Sequence, residues 1–144
     1  TLPDTEKQER SLAEFSGKKT VIVFFPAAFS GVCTKEMCSF RDSMASFNAM
    51  NAQVVGISVD APFANKAFAA TNNLTFPLLS DFGRTVSKSY GGVHEDFAGL
   101  KGYAAAKRSV FVLDGSGVVK YSWITDNPGV EPLLEEISKA LAAI

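Results

Sequence analysis

Three stretches of the chain are apolar with little or no alternation, and each is short enough to be a strand buried on both faces. They are Thr20–Phe25 (TVIVFF), Gln53–Val59 (QVVGISV) and Ser109–Leu113 (SVFVL). Pro26 ends the first, while Asp60 and Pro62 end the second. Between them a helical stretch is predicted from about Val32 to Met50. Met37, Phe40, Met44 and Phe47 recur there at spacings of three and four, as one buried face requires. Phe63–Ala70 reads as a further helix, closed by the pair Asn72-Asn73.

Phe76–Asp81 (FPLLSD) is expected to be a short strand or turn, and Thr85–Tyr90 a short helix. Gly91-Gly92 opens an irregular stretch that runs to about Lys107. Asp114-Gly115-Ser116-Gly117 is a hairpin turn, so Val118–Ile124 returns antiparallel to Ser109–Leu113. Asn127-Pro128-Gly129 breaks the chain, and Glu131–Ile144 predicts an amphipathic C-terminal helix. The segment ahead of Thr20 carries no clear strand pattern, and the chain starts without Met, so the expectation that residues precede Thr1 stays open.

The order is βαβα, a short helix, a β-hairpin and a last helix. Parallel strands joined by a crossover helix, then an antiparallel hairpin, describe an α/β fold of thioredoxin-like type: a mixed sheet flanked by helices. The length of 144 residues suits one domain spanning 1–144. No internal repeat or low-complexity linker divides it.

Composition narrows the function classes. Apolar residues make up 47% of the chain and Phe occurs 12 times, which is the content of a packed core and not of a disordered tail. The net charge is −1, and the longest basic runs are the pairs Lys18-Lys19 and Lys107-Arg108. Without a concentrated basic face, no nucleic-acid partner is expected. No apolar run nears the roughly 20 residues that span a bilayer, so no membrane partner is expected either. The opening TLPDTEKQER is too polar for the apolar part of a secretory signal. The expected location is cytoplasmic, with an organellar address left open for any residues ahead of Thr1.

Cys33, Cys38 and a single histidine, His94, are too few ligands for a zinc site, so no metal is expected. Four residues separate the two thiols, which rules out a Cys-x-x-Cys redox pair. His94 lies in the irregular stretch and is expected to be a solvated loop residue.

The informative segment is Phe24–Cys38, FFPAAFSGVCTKEMC. It places Cys33 in the first turn of the predicted helix, where unpaired backbone N–H groups and the positive end of the dipole favour an anion. The thiolate is the nucleophilic form of a cysteine. Ser30, three residues earlier, is either a helix N-cap, a hydroxyl that contacts sulfur and substrate, or both. Pro26 stiffens the loop and shields the sulfur on one side. Glu36 either complements the helix dipole or holds an arginine. Cys38 is either a core thiol on the buried helix face or a second redox thiol.

The pattern Pro26-x-x-x-Ser30-x-x-Cys33 resembles the Pro-x-x-x-Thr/Ser-x-x-Cys signature of the peroxiredoxins, with the bacterioferritin-comigratory and alkyl hydroperoxide reductase E types as the most similar groups. The resemblance extends to Val55–Asp60 (VGISVD), Phe76–Asp81 and Lys107–Asp114 (KRSVFVLD). It implies a thiol-dependent peroxidase without metal or organic cofactor, in which Cys33 reacts with a hydroperoxide and passes through a sulfenic acid. It places the active-site arginine at Arg108 and a candidate resolving cysteine at Cys38. It further implies a thiol reductant such as thioredoxin, glutaredoxin or a small thiol, and is compatible with a homodimer. Ser30 stands where Thr is usual, which keeps the hydroxyl and loosens the rotamer.

Two other classes compete: a thioredoxin-like thiol–disulfide oxidoreductase, and a peroxide-sensing relay that hands its oxidation to a partner protein. The speed of the reaction with peroxide separates them. Geometry adds a test of its own. Cys33 follows the end of strand 20–25 and Arg108 precedes strand 109–113. The two meet only if those strands run antiparallel as neighbours or near neighbours.

Overall fold

Residues Thr1–Ile144 are all described by the computed structural model. Five strands build one sheet in the order β5-β4-β3-β8-β9. They are β3 (Lys19–Phe24), β4 (Ala52–Ser58), β5 (Leu78–Ser80), β8 (Ser109–Leu113) and β9 (Val119–Ile124). The N-terminal segment, for which no strand was predicted, forms a small antiparallel pair, β1 (Leu2–Pro3) with β2 (Glu9–Arg10), and Asp4 bridges to Leu79 at the sheet's edge. The helices are α1 (Gly31–Asp42), α2 (Met44–Ala49), α3 (Pro62–Thr71), α4 (Thr85–Ser89) and α5 (Leu134–Ala142). No helix is long and apolar enough to cross a membrane.

The unalternating strands are explained by what covers them. β3 sends Val21 and Val23 into one cluster, with Phe40, Phe47, Phe68 and Ile137. Its Ile22 and Phe24 enter a second cluster on the opposite face, with Phe15 and Phe111. The strand is thus covered by apolar side chains on both faces, so an unpaired polar residue in place of any of these four would be costly. β9, at the edge, alternates instead: Tyr121 and Trp123 pack inward while Ser122 and Ile124 are exposed. Within β4, Gly56 leaves room for β5, since a Cβ there would fall 2.6 Å from Leu78 Cδ2.

Three boundaries differ from the sequence expectation. The helix predicted over 32–50 breaks at Ser43 (φ −97°, ψ 0°), which ends α1 and caps α2. The apolar face survives the break because Met37, Phe40 and Phe47 are all fully buried. Each large-to-Ala change at Phe40 or Phe47 is expected to cost about 3–5 kcal/mol. The C-terminal helix starts at Leu134 and not at Glu131; Pro132 lies in the irregular lead-in. The stretch 91–107 contains a two-stranded pair, β6 (Val93–His94) with β7 (Ala105–Ala106). β7 ends two residues before Arg108 and fixes its approach.

The geometric requirement for Cys33 and Arg108 is met directly. β3 and β8 are antiparallel neighbours, with Phe24 opposite Ser109. The end of one strand therefore meets the start of the other at one edge of the sheet.

Candidate active site

The loop between β3 and α1 is short and tightly held. Pro26 is buried and follows β3 after a single residue. Ala28 N–H donates to Asp60 Oδ2 at 2.8 Å, which ties the loop to the chain just past β4. Phe29 has φ +67°, a left-handed backbone that disfavours a bulky side chain. Ser30 is the N-cap of α1 by backbone position, and its carbonyl accepts Thr34 N–H at 2.9 Å. Gly31, Val32 and Cys33 begin the helix, and their N–H groups have no acceptor within the protein.

Ser30 does not adopt either side-chain role expected of it. Its hydroxyl donates to Ala27 O at 2.9 Å, neither capping the helix nor reaching the sulfur. A main-chain acceptor three residues back outcompetes both roles, as serine hydroxyls commonly allow.

Cys33 has no exposed surface, and Arg108 and Glu36 are each 1% exposed. Arg108 Nη2 donates to Cys33 Sγ at 3.3 Å, and Nη1 donates to Glu36 Oε1 at 3.3 Å. Nε and Nη2 also donate to Pro128 O at 3.2 and 2.7 Å. The planar guanidinium is thus locked by three partners from two segments, α1 and the loop at Pro128. Pro128 escaped the sequence reading because it acts through a carbonyl, which every residue carries.

The Arg108–Glu36 contact has the geometry of an ion pair, yet burial outweighs the guanidinium's pull. The Glu36 carboxyl is pushed up to about 8, with Glu131 adding to the rise. Its Oε2 has no hydrogen-bond partner, which further disfavours ionisation. Around neutral pH Glu36 therefore holds its proton in much of the population. The full charge of Arg108 is then left to face Sγ.

Cys38 sits on the same helix in a different setting. It is half-buried, and its Sγ donates to Asn72 Oδ1 at 3.6 Å. Both cysteines are free thiols. Five residues of regular helix put their Cα atoms about 8.6 Å apart by the rise and turn of an α-helix, beyond the ~7 Å limit for a disulfide.

His94 was expected to be solvated and is not. It lies on β6 opposite Ala105, half-buried, with its ring stacked on Phe97 at 5.6 Å and Nε2 buried without a partner. Burial and the nearby Lys107 hold its pKa below the ordinary value. Asp60 was read as a strand terminator and as the last residue of the VGISVD segment, and its grip on the loop was missed. The signal was its place at the end of the VGISVD segment.

A mixed five-stranded sheet, a cysteine in the first turn of a helix and an arginine from the adjacent antiparallel strand together define a thioredoxin-like protein with one thiol held against a buried guanidinium. The AhpC/TSA family profile matches residues 1–122. A chloroplastic peroxiredoxin Q of Populus jackii is 43% identical over 120 residues, covering 83% of this chain and 54% of that protein. The crystal structure of peroxidoxin BcpB from Mycobacterium tuberculosis is 32% identical, with a TM-score of 0.86 over 99% of this chain and 91% of that one. Enterococcus faecalis AhpC is 26% identical, with a TM-score of 0.86 over 99% of this chain and 86% of that one. This chain belongs to the AhpC/TSA family and, within it, to the peroxiredoxins. It spans 53–62% of the length of four of the plant relatives it matches.

Proposed function

We propose that the chain is a thiol-dependent peroxidase that reduces hydrogen peroxide and organic hydroperoxides through Cys33. The observation that carries this reading is the 3.3 Å contact between Arg108 Nη2 and Cys33 Sγ at the first turn of α1. The buried guanidinium sets a permanent positive charge against the sulfur, whose thiolate is the form that attacks.

The sulfur lone pair attacks one peroxide oxygen; an S–O bond forms and the O–O bond breaks. The departing oxygen takes the hydroperoxide's own proton and leaves as water or alcohol. Sulfur is oxidised by two electrons to the sulfenate, and the peroxide is reduced by two. Charge developing on the oxygens falls among Arg108 and the unpaired N–H groups of the first turn, donors that are already oriented. Because Cys33 has no exposed surface, the peroxide enters through a transient opening at the mouth of the site.

Cys38 is the proposed resolving thiol: it condenses with the sulfenic acid, releasing water and forming a disulfide. The disulfide is then reduced by an external thiol, for which thioredoxin, glutaredoxin and small thiols are the sources to compare. Stopped-flow oxidation tests the reading. Wild-type protein is expected to react with peroxide orders of magnitude faster than free cysteine. A rate equal to that of free cysteine overturns it.

A further inference from the structure

We infer that Asp60 is a positioning residue for the reaction of Cys33, acting through its hydrogen bond to the Ala28 main chain; this deepens the peroxidase reading and rests on it. The loop Pro26–Ser30 must deliver Cys33 and three unpaired N–H groups to one point facing Arg108. Its own internal bonds are weak holds: Ser30 Oγ to Ala27 O at 2.9 Å and Ser30 N–H to Ala27 O at 3.4 Å both lie inside the loop. The left-handed backbone of Phe29 persists only where its surroundings enforce it.

Two contacts supply that enforcement, and both come from the segment that follows β4. Asp60 Oδ2 takes the Ala28 N–H at 2.8 Å, one residue before the strained position. The Phe29 ring meets Phe68 of α3 edge to face at 5.2 Å.

Asp60 is itself anchored. Its own N–H donates to Ser58 Oγ at 3.2 Å. Ser58 is fully buried and shares a closed network with Asn65 and Ser80, in which Asn65 Nδ2 donates to Ser58 Oγ at 3.1 Å and to Ser80 Oγ at 3.2 Å. Satisfied buried networks of this kind are rigid. Asp60 also stands just ahead of Ala61, the N-cap of α3, where a carboxylate is favoured by the helix dipole. The carboxylate therefore transmits the position of β4, β5 and α3 to the loop that aims the sulfur.

The test compares Asp60→Ala, which removes the acceptor, with Asp60→Asn, which retains an acceptor oxygen. Each is measured for oxidation of Cys33 by hydrogen peroxide and for alkylation of Cys33 by iodoacetamide. Alkylation needs the thiolate but not an aligned peroxide. Misplacing a catalytic group by about 1 Å costs on the order of 10²-fold. Asp60→Ala is thus expected to slow peroxide oxidation about 10- to 100-fold and alkylation less than about threefold. Asp60→Asn is expected to recover most of the peroxide rate.

Hydrogen exchange gives a readout that holds even if Asp60→Ala folds poorly. In the wild-type chain the Ala28 amide, whose acceptor is Asp60 Oδ2, is expected to be protected. An unprotected Ala28 amide, or a peroxide rate in Asp60→Ala equal to wild type, overturns the inference while the peroxidase reading stands. Equal loss in Asp60→Asn and Asp60→Ala also overturns it, since the charge and not the hydrogen bond would then matter. A wild-type chain no faster than free cysteine removes the peroxidase reading and this inference together.

Discussion

Cys33 and Cys38 stand five residues apart on one helix, and almost everything that distinguishes them lies outside it. Cys33, in the first turn, faces a buried guanidinium at 3.3 Å and has unpaired N–H groups beside it. Cys38, in the middle of α1, donates to the neutral amide oxygen of Asn72, the residue that caps the C-terminus of α3. One sulfur meets a buried charge; the other meets a dipole at a half-exposed surface. The chemistry of a thiol is set by its surroundings, and about one and a half turns of helix separate the proposed nucleophile from its candidate resolving partner.

Removing the proposed nucleophile is the hardest way to break this asymmetry. Cys33→Ser is expected to lower peroxide turnover by at least about 10³-fold with the fold intact, because no other group carries the reacting electron pair. Near-normal turnover in that variant, measured with circular dichroism in parallel, would assign the chemistry elsewhere. Arg108→Met leaves the sulfur but removes the charge. A drop of about 10²-fold in the second-order rate with peroxide is expected, the loss typical of one preorganised donor. A smaller drop than that of Asp60→Ala would mean that loop position outweighs charge.

A third measurement sharpens the account of why Arg108 addresses Cys33 so fully. The Glu36 carboxyl is raised from 4.5 to about 8, so between those values the native state binds a proton that the unfolded state has released. The stabilisation of the protonated form is fully present below the unfolded value and is lost as pH rises through about 8. Stability should therefore fall with pH in that window by up to about 1.4 kcal/mol per unit from this group. Glu36→Gln should flatten the slope, read as the difference between denaturant unfolding of the two proteins at pH 5, 6 and 7. Parallel curves for the two proteins would place the proton elsewhere.

The smallest effect on the first chemical step belongs to Cys38→Ser. Sites roughly 7–10 Å apart act nearly independently, so oxidation of Cys33 should slow less than about threefold. What changes is the product. Wild-type protein treated with one equivalent of peroxide is expected to yield a Cys33–Cys38 disulfide with reduced helix content. The variant retains a sulfenic acid. The bond requires α1 to open from its first turn, since a regular helix holds the two Cα atoms too far apart. Peptide mapping by mass spectrometry decides it: a wild-type sulfenic acid beside a free Cys38 assigns resolution to an external thiol.

Much of this was legible in the chain. The three unalternating apolar runs reported strands covered on both faces, and Pro26 through Cys38 reported a helix start with a thiol in its first turn. The break at Ser43 was not legible, because the apolar face runs through it without losing period. The β6–β7 pair was hidden in two-residue strands too short to carry a pattern. His94 was misread for the same reason: its burial comes from Phe97 and the β6–β7 pair, and neither shows in its neighbours along the chain.

Local sequence determined which residues carry reactive groups and which elements present them, since periodicity, breakers and helix starts act over a few residues. Only the tertiary structure decided what those groups meet. Pairing β3 with β8 carried Arg108 across 75 positions to Cys33. Packing then buried Glu36 deeply enough to keep its proton, turned the Ser30 hydroxyl to Ala27 O, and put Pro128 O and Asp60 in place as unannounced supports. The reason is physical: burial and hydrogen-bond partnership are properties of the space around an atom, and that space is filled by residues distant in sequence.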